Sequence, residues 1–417
     1  MIKKIMFTLI TFVVPILTYA SDNSSFRVGN NYYDTLKDAI NNASSMDTIK
    51  LFSDAVLNES IPVNKTVNID LNGNNIVNKS SSFIVDGGTL NITGKGKIVE
   101  SSPFYGVIRV IGSTSETDEL YSSVNIDKDV TLEGWSGIFI THNNSKSHGV
   151  IVNFAGNINA VNDTSNDPGI GIYVNGNIKH DESKPIVNIL DGATIKSSGN
   201  GLYIAGNATF NINKASIDGN EAAIGMKSGE LNINGANVSC VGPDTTPSEG
   251  YNNGIKSSGT AIQLESNNNY AGNMVINILN GNFVSKNSNV IYEYIGSGNS
   301  TQVKSINIVG GTFTSNNNKD IFLLSNDFKN THNSFVSGGR FNKNVSNYLK
   351  AGYTTELKND YYVVDKNVLG AFKESIEKKN GINKLIFILS GIFIIILGIV
   401  YRRTLLQFAK NIKLRVK

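Results

Sequence analysis

One short pattern recurs along this chain and limits what it can fold into. "VNIDLNGNNI" begins at residue 67, "LNITGKGKI" at 90, "VNIDKDVTL" at 124 and "VNILDGATI" at 187. "LNINGANV" follows at 231, "INILNGNF" at 276 and "INIVGGTF" at 306, with a worn copy, "FVSGGRF", at 335. The central asparagines are Asn68, Asn91, Asn125, Asn153, Asn188, Asn211, Asn232, Asn277 and Asn307, and the shortest steps between them are 21 and 23 residues. Within each copy two apolar residues flank the Asn. That period of two predicts a strand with the apolar pair turned inward and the Asn turned to solvent. A Gly, Asn or Asp turn then leads to a second strand. A third short strand, such as "GVIRVI", "GIFIT", "GIGIYV" or "GLYIA", precedes most copies. Three strands in about 22 residues make one coil of a β-solenoid. About ten coils at about 4.8 Å each predict a rod on the order of 50 Å long.

A bare terminal coil is an exposed sheet edge, so both ends need a cover. At the start, "YYDTLKDAINNASSMDTIKLF" supplies an amphipathic helix with Leu36, Ala39, Ile40 and Ala43 on one face and Asp34 as its cap, then the first strand of the stack. This helix-then-strand entry, "DTLKDAINNA" into "DTIKLF", resembles the start of pectin-lyase-like right-handed parallel β-helix proteins. The closing segment "GGRFNKNVSNYLKAGYTTELKNDYYVV" is similar to the end of β-helix repeats on adhesin-like surface proteins of Gram-positive bacteria. The two resemblances bracket about residues 26 to 364 and imply an all-β right-handed parallel β-helix, a fold that hosts lyases, hydrolases, adhesins and inert stalks alike.

The remaining segments set the compartment. Residues 1–20, a charged start, a short apolar run and "TYA", read as a secretory signal peptide. Residues 21–47 form the N-terminal cap, 48–364 the β-helix and 365–384 a helical stalk with Val368, Phe372 and Ile376 on one face. Leu385 to Tyr401 is an uncharged apolar stretch at the lower limit for a membrane span. Residues 402–417 follow with six basic residues and no acidic one. The positive-inside rule places that tail in the cytoplasm and the rod outside, giving a single-pass cell-membrane protein. Divided this way, the net charge of +3 becomes −7 over residues 21–370. An acidic exterior argues against nucleic acid as a partner. Cys240 is the single cysteine, so no internal disulfide forms, and in "NVSCVG" it reads as a small buried side chain.

The longer steps between repeats hold insertions. "GSTSETDELYSS", "THNNSKSHG", "NGNIKHDESKP", "ESNNNYAGN" and "GSGNSTQVKS" all precede the Asn-bearing strand, which predicts a ridge of loops along one corner, extended near the top by "SNDFKNTHNS". A second corner carries "VNDTSNDPG" and "VGPDTTPSEGYNNGIKSSG". Loops gathered on one side of a solenoid are where binding is sought. The ridge holds all four histidines, and His148 and His180, in successive coils beside Asp181 and Glu182, are candidate ligand contacts. Tyr121, Tyr251 and Tyr270 stand in inserted loops among Asn, Ser and Gly, an arrangement suited to stacking on sugars. Trp135 sits at a turn and reads as corner packing. No cofactor or metal is expected.

The resemblance also implies the chemistry to test against. Pectate lyases combine calcium-binding carboxylates with a basic residue, commonly Arg, and related hydrolases group Asp residues on adjacent strands. Here Arg109 is the one mid-rod arginine, and Glu133, Asp163 and Asp167 are the carboxylates that stacking can gather. "VNDTSND" only echoes the hydrolase motif. The sequence therefore favours a non-catalytic, membrane-anchored surface protein acting in adhesion or glycan binding. The alternatives are a polysaccharide lyase or glycoside hydrolase on the same scaffold, and a passive envelope stalk.

Overall fold

A computed structural model describes residues 24–79, 83–102, 106–112, 121–142, 149–161, 168–178, 184–251, 254–256, 258–296 and 300–367. The predicted signal peptide, membrane span and basic tail lie outside these residues. Among the described residues no helix is long and apolar enough to cross a membrane.

The repeats stack as parallel strands and build a β-solenoid with three faces. The Asn face is formed by the repeat strands, where Val67, Asn68 and Ile69 pair with Leu90, Asn91 and Ile92 in the next coil, and so on upward. Its flanking apolar residues point inward: Ile212 is 2% exposed, Ile306 4% and Ile308 fully buried. The second face follows each turn, as in Gly96–Glu100, Val130–Glu133 and Asn157–Ala160. The third face is a separate ten-stranded parallel sheet, from Ile61–Val63 at the base to Phe322–Leu323 at the top. Pro62 is tolerated in the lowest strand because that strand is an edge.

The corner between the first two faces is sharp, and "INIVGGTF" shows how it is made. Gly311 has φ of +105°, and a Cβ on Gly310 would lie 2.6 Å from the Leu279 carbonyl oxygen. Both positions therefore require glycine. In the Gly229–Cys240 and Met274–Ser285 strands the chain passes this corner by a bulge without leaving the ladder, so the Asn and second faces merge into one sheet. Beyond the corner Phe313 is buried, stacked at 4.7 Å on Phe283 and 4.8 Å on Phe341. Like side chains thus repeat at the coil spacing inside the rod as well as outside it.

Both ends are covered. At the base, Phe26–Val28 pairs antiparallel with Thr48–Leu51, so the lowest repeat strand is not an open edge. The helix Leu36–Asn42 buries Leu36, Ala39 and Ile40 as predicted. Its cap is Thr35, not Asp34: Thr35 Oγ1 accepts from the Asp38 amide at 3.1 Å, and the Asp38 carboxylate accepts from the Thr35 hydroxyl at 2.7 Å. This reciprocal pair outcompetes Asp34, which instead accepts from the Ser24 hydroxyl. Lys65 Nζ donates to the carbonyls of Ile40 and Ala43, closing the helix C-terminus.

At the top, "SNDFKNTHNS" is not a ridge loop. It forms the helix Asn326–Thr331, capped by Ser325, with Phe328 fully buried and His332 stacked on its ring. Phe322, Phe335, Phe341 and Tyr348 complete this aromatic lid. A hairpin of Tyr353–Lys358 and Tyr361–Lys366 then covers the second face antiparallel. Asp365 and Lys366 belong to that strand, so the first predicted stalk residues continue the cap; residues 368–384 lie outside the described set.

Candidate functional site

The Asn face carries more than a row of solvated side chains. The Nδ2 of Asn91 donates to Oδ1 of Asn68 at 2.7 Å, and the same bond repeats upward through Asn125, Asn153, Asn188, Asn211, Asn232 and Asn277 at 2.7 to 3.1 Å. Asn68 donates below to the carbonyls of Ser45 and Asp47, and Asn307 accepts above from Lys350 Nζ at 2.6 Å. These side chains are half-buried, not free in solvent. In-register Asn stacking matches one donor with one acceptor per rung, which is why the repeat keeps Asn between two inward residues. The ladder bond leaves each Oδ1 a second lone pair and most amides a second N–H; Asn68 and Asn232 spend theirs on the Ser45 or Asp47 carbonyl and on Glu230.

Near the upper half of this face the ladder floors a groove of about 450 Å³. Asn211, Asn232, Asn277 and Asn307 line it along the ladder, with Asn213, Asn234 and the exposed Leu279 toward the corner. No charged side chain is among the lining residues. Glu230 stands nearby, bonded to Asn232 at 3.1 Å and facing Lys184 at 3.9 Å.

The third face carries a second cluster on its outer surface. In-register pairing places Arg109, Phe139, Tyr173 and Tyr203 above one another. Phe139 stacks on Tyr173 at 4.8 Å, Tyr173 meets Tyr203 at 5.2 Å, and Trp135 closes the cluster edge-on at 6.2 Å. Trp135 is indeed buried corner packing. Above them Lys227 Nζ lies 3.1 Å from the Glu265 carboxylate, and both side chains are almost wholly buried. Tyr270 folds across this pair, its ring 4.2 Å from Lys227 Nζ. Burial first, then the neighbouring Tyr270 and Tyr173, holds the Tyr203 hydroxyl well above its ordinary 10.0.

The insertions fall between described strands in a regular order. Each ridge insertion starts where a third-face strand ends (Gly112, His142, Val174, Ser266 and Ile295) and ends where an Asn-face strand begins. The described residues that flank these insertions therefore lie along the edge shared by those two faces. The other two insertions lie between the second and third faces. Of the predicted contacts, Tyr121 is 50% exposed at the foot of the ridge, with its ring against Gly149, where a Cβ would come within 2.6 Å. Tyr270 is folded back on the rod. Tyr251 ends the strand Ser248–Tyr251, paired with Gly254–Lys256 in a hairpin of the second corner. His148, His180, Asp181 and Glu182 lie outside the described residues. His142 and His332 are not ridge-loop residues: one is buried at a strand end and the other caps the top helix.

The two described catalytic candidates lie on different faces. Arg109 lies over the Phe139 ring on the third face, whereas Glu133 is on the second face beside Lys97 at 3.3 Å. Asp163 and Asp167 lie outside the described residues. Among the described residues no three His, Cys, Asp or Glu side chains come together as a metal site. The groove asparagines and the buried Lys227–Glu265 pair were not singled out as sites from the sequence. The recurring Asn was visible but read as scaffold alone, and the aromatic at the centre of "GIFIT", "GIGIYV" and "GLYIA" was the available signal for the outer column.

Comparison of the chain with protein-family models, curated proteins and solved structures found no match.

Proposed function

We propose that this chain is a cell-surface protein of the pectin-lyase-like right-handed β-helix class that binds neutral glycans without cleaving them. The observation that carries the reading is the amide-floored groove on the Asn face. Its lining offers repeated N–H donors and carbonyl acceptors beside one exposed Leu, and no charge. That chemistry suits a neutral, hydroxyl-bearing chain laid along the rod, where successive rungs about 4.8 Å apart each present one amide. An acidic polysaccharide would lose its solvation there and meet a cation only at the upper end, where Lys350 Nζ bonds Asn307. Tyr121, half exposed just before the Asn-face strand Ser122–Ile126, supplies an aromatic platform.

Right-handedness is supported by the strong preference of parallel crossovers for that hand. Membrane anchoring and an extracellular rod rest on the sequence: the apolar stretch 385–401, its basic flank, and the signal-like first twenty residues. An adhesive role follows from a binding face displayed on a tethered rod.

A glycan array probed with the full chain in detergent micelles tests the reading. Retention by neutral, extended glycans is the expected result. Silence across neutral and acidic glycans would leave the rod as a passive stalk. Ultraviolet-absorbing products from polygalacturonate with calcium would instead make it a lyase.

A further inference from the structure

On the third face, Lys227 follows the strand Ala222–Met226, and Asn267 follows the strand stacked on it, Thr260–Ser266. Glu265 bridges the two. One carboxylate oxygen lies 3.1 Å from Lys227 Nζ, and the other accepts from Asn267 Nδ2 at 3.0 Å. Lys227 is 2% exposed, Glu265 1% and Asn267 5%. The rings of Tyr270 and Tyr203 lie 4.2 and 5.6 Å from Nζ and keep water from it. The Asn267 carboxamide is held from its other side: its Oδ1 accepts from the Asn269 backbone N–H at 3.0 Å.

We propose that Lys227 and Asn267 become joined by an amide bond between Nζ and Cγ, formed by the chain itself with Glu265 transferring the protons. An amine, a carboxylic acid and a carboxamide held in one dry site are the reactants and catalyst of an aminolysis. Proton transfer within the ion pair leaves Lys227 as an amine and Glu265 as an acid, and removes two buried charges. The amine attacks Cγ of Asn267, and the carbonyl oxygen gathers negative charge opposite the Asn269 N–H, which is placed to stabilise it. Glu265 takes a proton from the new C–N nitrogen and delivers one to the departing nitrogen. Ammonia leaves, a secondary amide remains, and Glu265 ends as it began. No oxidant, metal or cofactor enters the balance. Holding the groups together supplies what such a slow reaction lacks in solution.

The consequence is structural. The bond ties two successive coils and closes a ring from 227 to 267 that contains the long second-corner insertion. In a chain with one cysteine no disulfide can do this.

The test is mass spectrometry of the denatured full chain with peptide mapping. The expected result is a mass lower by one ammonia and a branched peptide joining the segments that carry Lys227 and Asn267, with tryptic cleavage after Lys227 lost. E265Q should restore the full mass and the cleavage. A wild-type chain at full mass would overturn the proposal, as would a deficit of ammonia without the branched peptide, which marks an imide. A branched peptide that persists in E265Q would overturn the role of Glu265.

Discussion

The side chain of Asn277 donates to Oδ1 of Asn232 at 2.9 Å, although 45 residues separate them in the chain. The same bond joins Asn232 to Asn211 across 21 residues. The spatial repeat is therefore regular where the sequence repeat is not, and the difference is carried entirely by insertions at the corners.

Breaking that ladder should have a graded effect. Asn232→Asp removes the donor to Asn211 and sets a carboxylate against its carbonyl oxygen, while Asn232→Leu removes the rung altogether. Because the amides are half-buried, water replaces part of what is lost. Thermal unfolding should show a loss of about 1 kcal/mol for Leu and a larger loss for Asp. Equal stability of all three chains would mean the ladder contributes nothing.

The inward positions should be far less tolerant. Ile212 is 2% exposed within the core, and Ile212→Asp introduces a charge with no partner, costing several kcal/mol. Phe313 lies between Phe283 and Phe341 in a parallel stack. Phe313→Ala should cost roughly 3–5 kcal/mol in denaturant unfolding. Wild-type stability in either variant would contradict the inward assignment.

Cys240 gives a prediction in pH. Desolvation by burial pushes its thiol from an ordinary 9.0 up to about 11. The folded chain thus holds a proton that the unfolded chain releases. The stability this represents is fully present below pH 9.0, and falls by about 3 kcal/mol as pH rises from there to about 11. Cys240→Ala should flatten this part of the stability profile. Native alkylation by iodoacetamide at pH 8 should be slow and become fast in urea; rapid native labelling would place the thiol at the surface.

Much of this was legible beforehand because period two and turn chemistry act locally. Ile306, Ile308, Gly310, Gly311 and Phe313 all take the places that "INIVGGTF" predicts, and Cys240 is buried. The corner holding each insertion follows from which strand it precedes. What was not legible depends on partners distant in sequence. The helix Asn326–Thr331 is too short to show a period, and only the lid around Phe328 makes it a helix. Thr35 displaces Asp34 as cap because Asp38 reciprocates its bond. Lys227 in "GMKSG" reads as a surface residue until stacking brings Glu265 and Tyr270 onto it. The asparagines read as solvent-facing because their real partners are one another, one coil away.

The central claim is that the amide groove of the Asn face is the binding surface. Calorimetric titration of a neutral oligosaccharide retained on the array, into wild-type chain and into the Asn232→Leu, Asn277→Leu double variant, tests it most directly. With two rungs of donors and acceptors removed from the contact, affinity should fall about tenfold or more, equivalent to roughly 1.4 kcal/mol, while the variant still unfolds cooperatively. Unchanged affinity in a folded double variant would contradict the account.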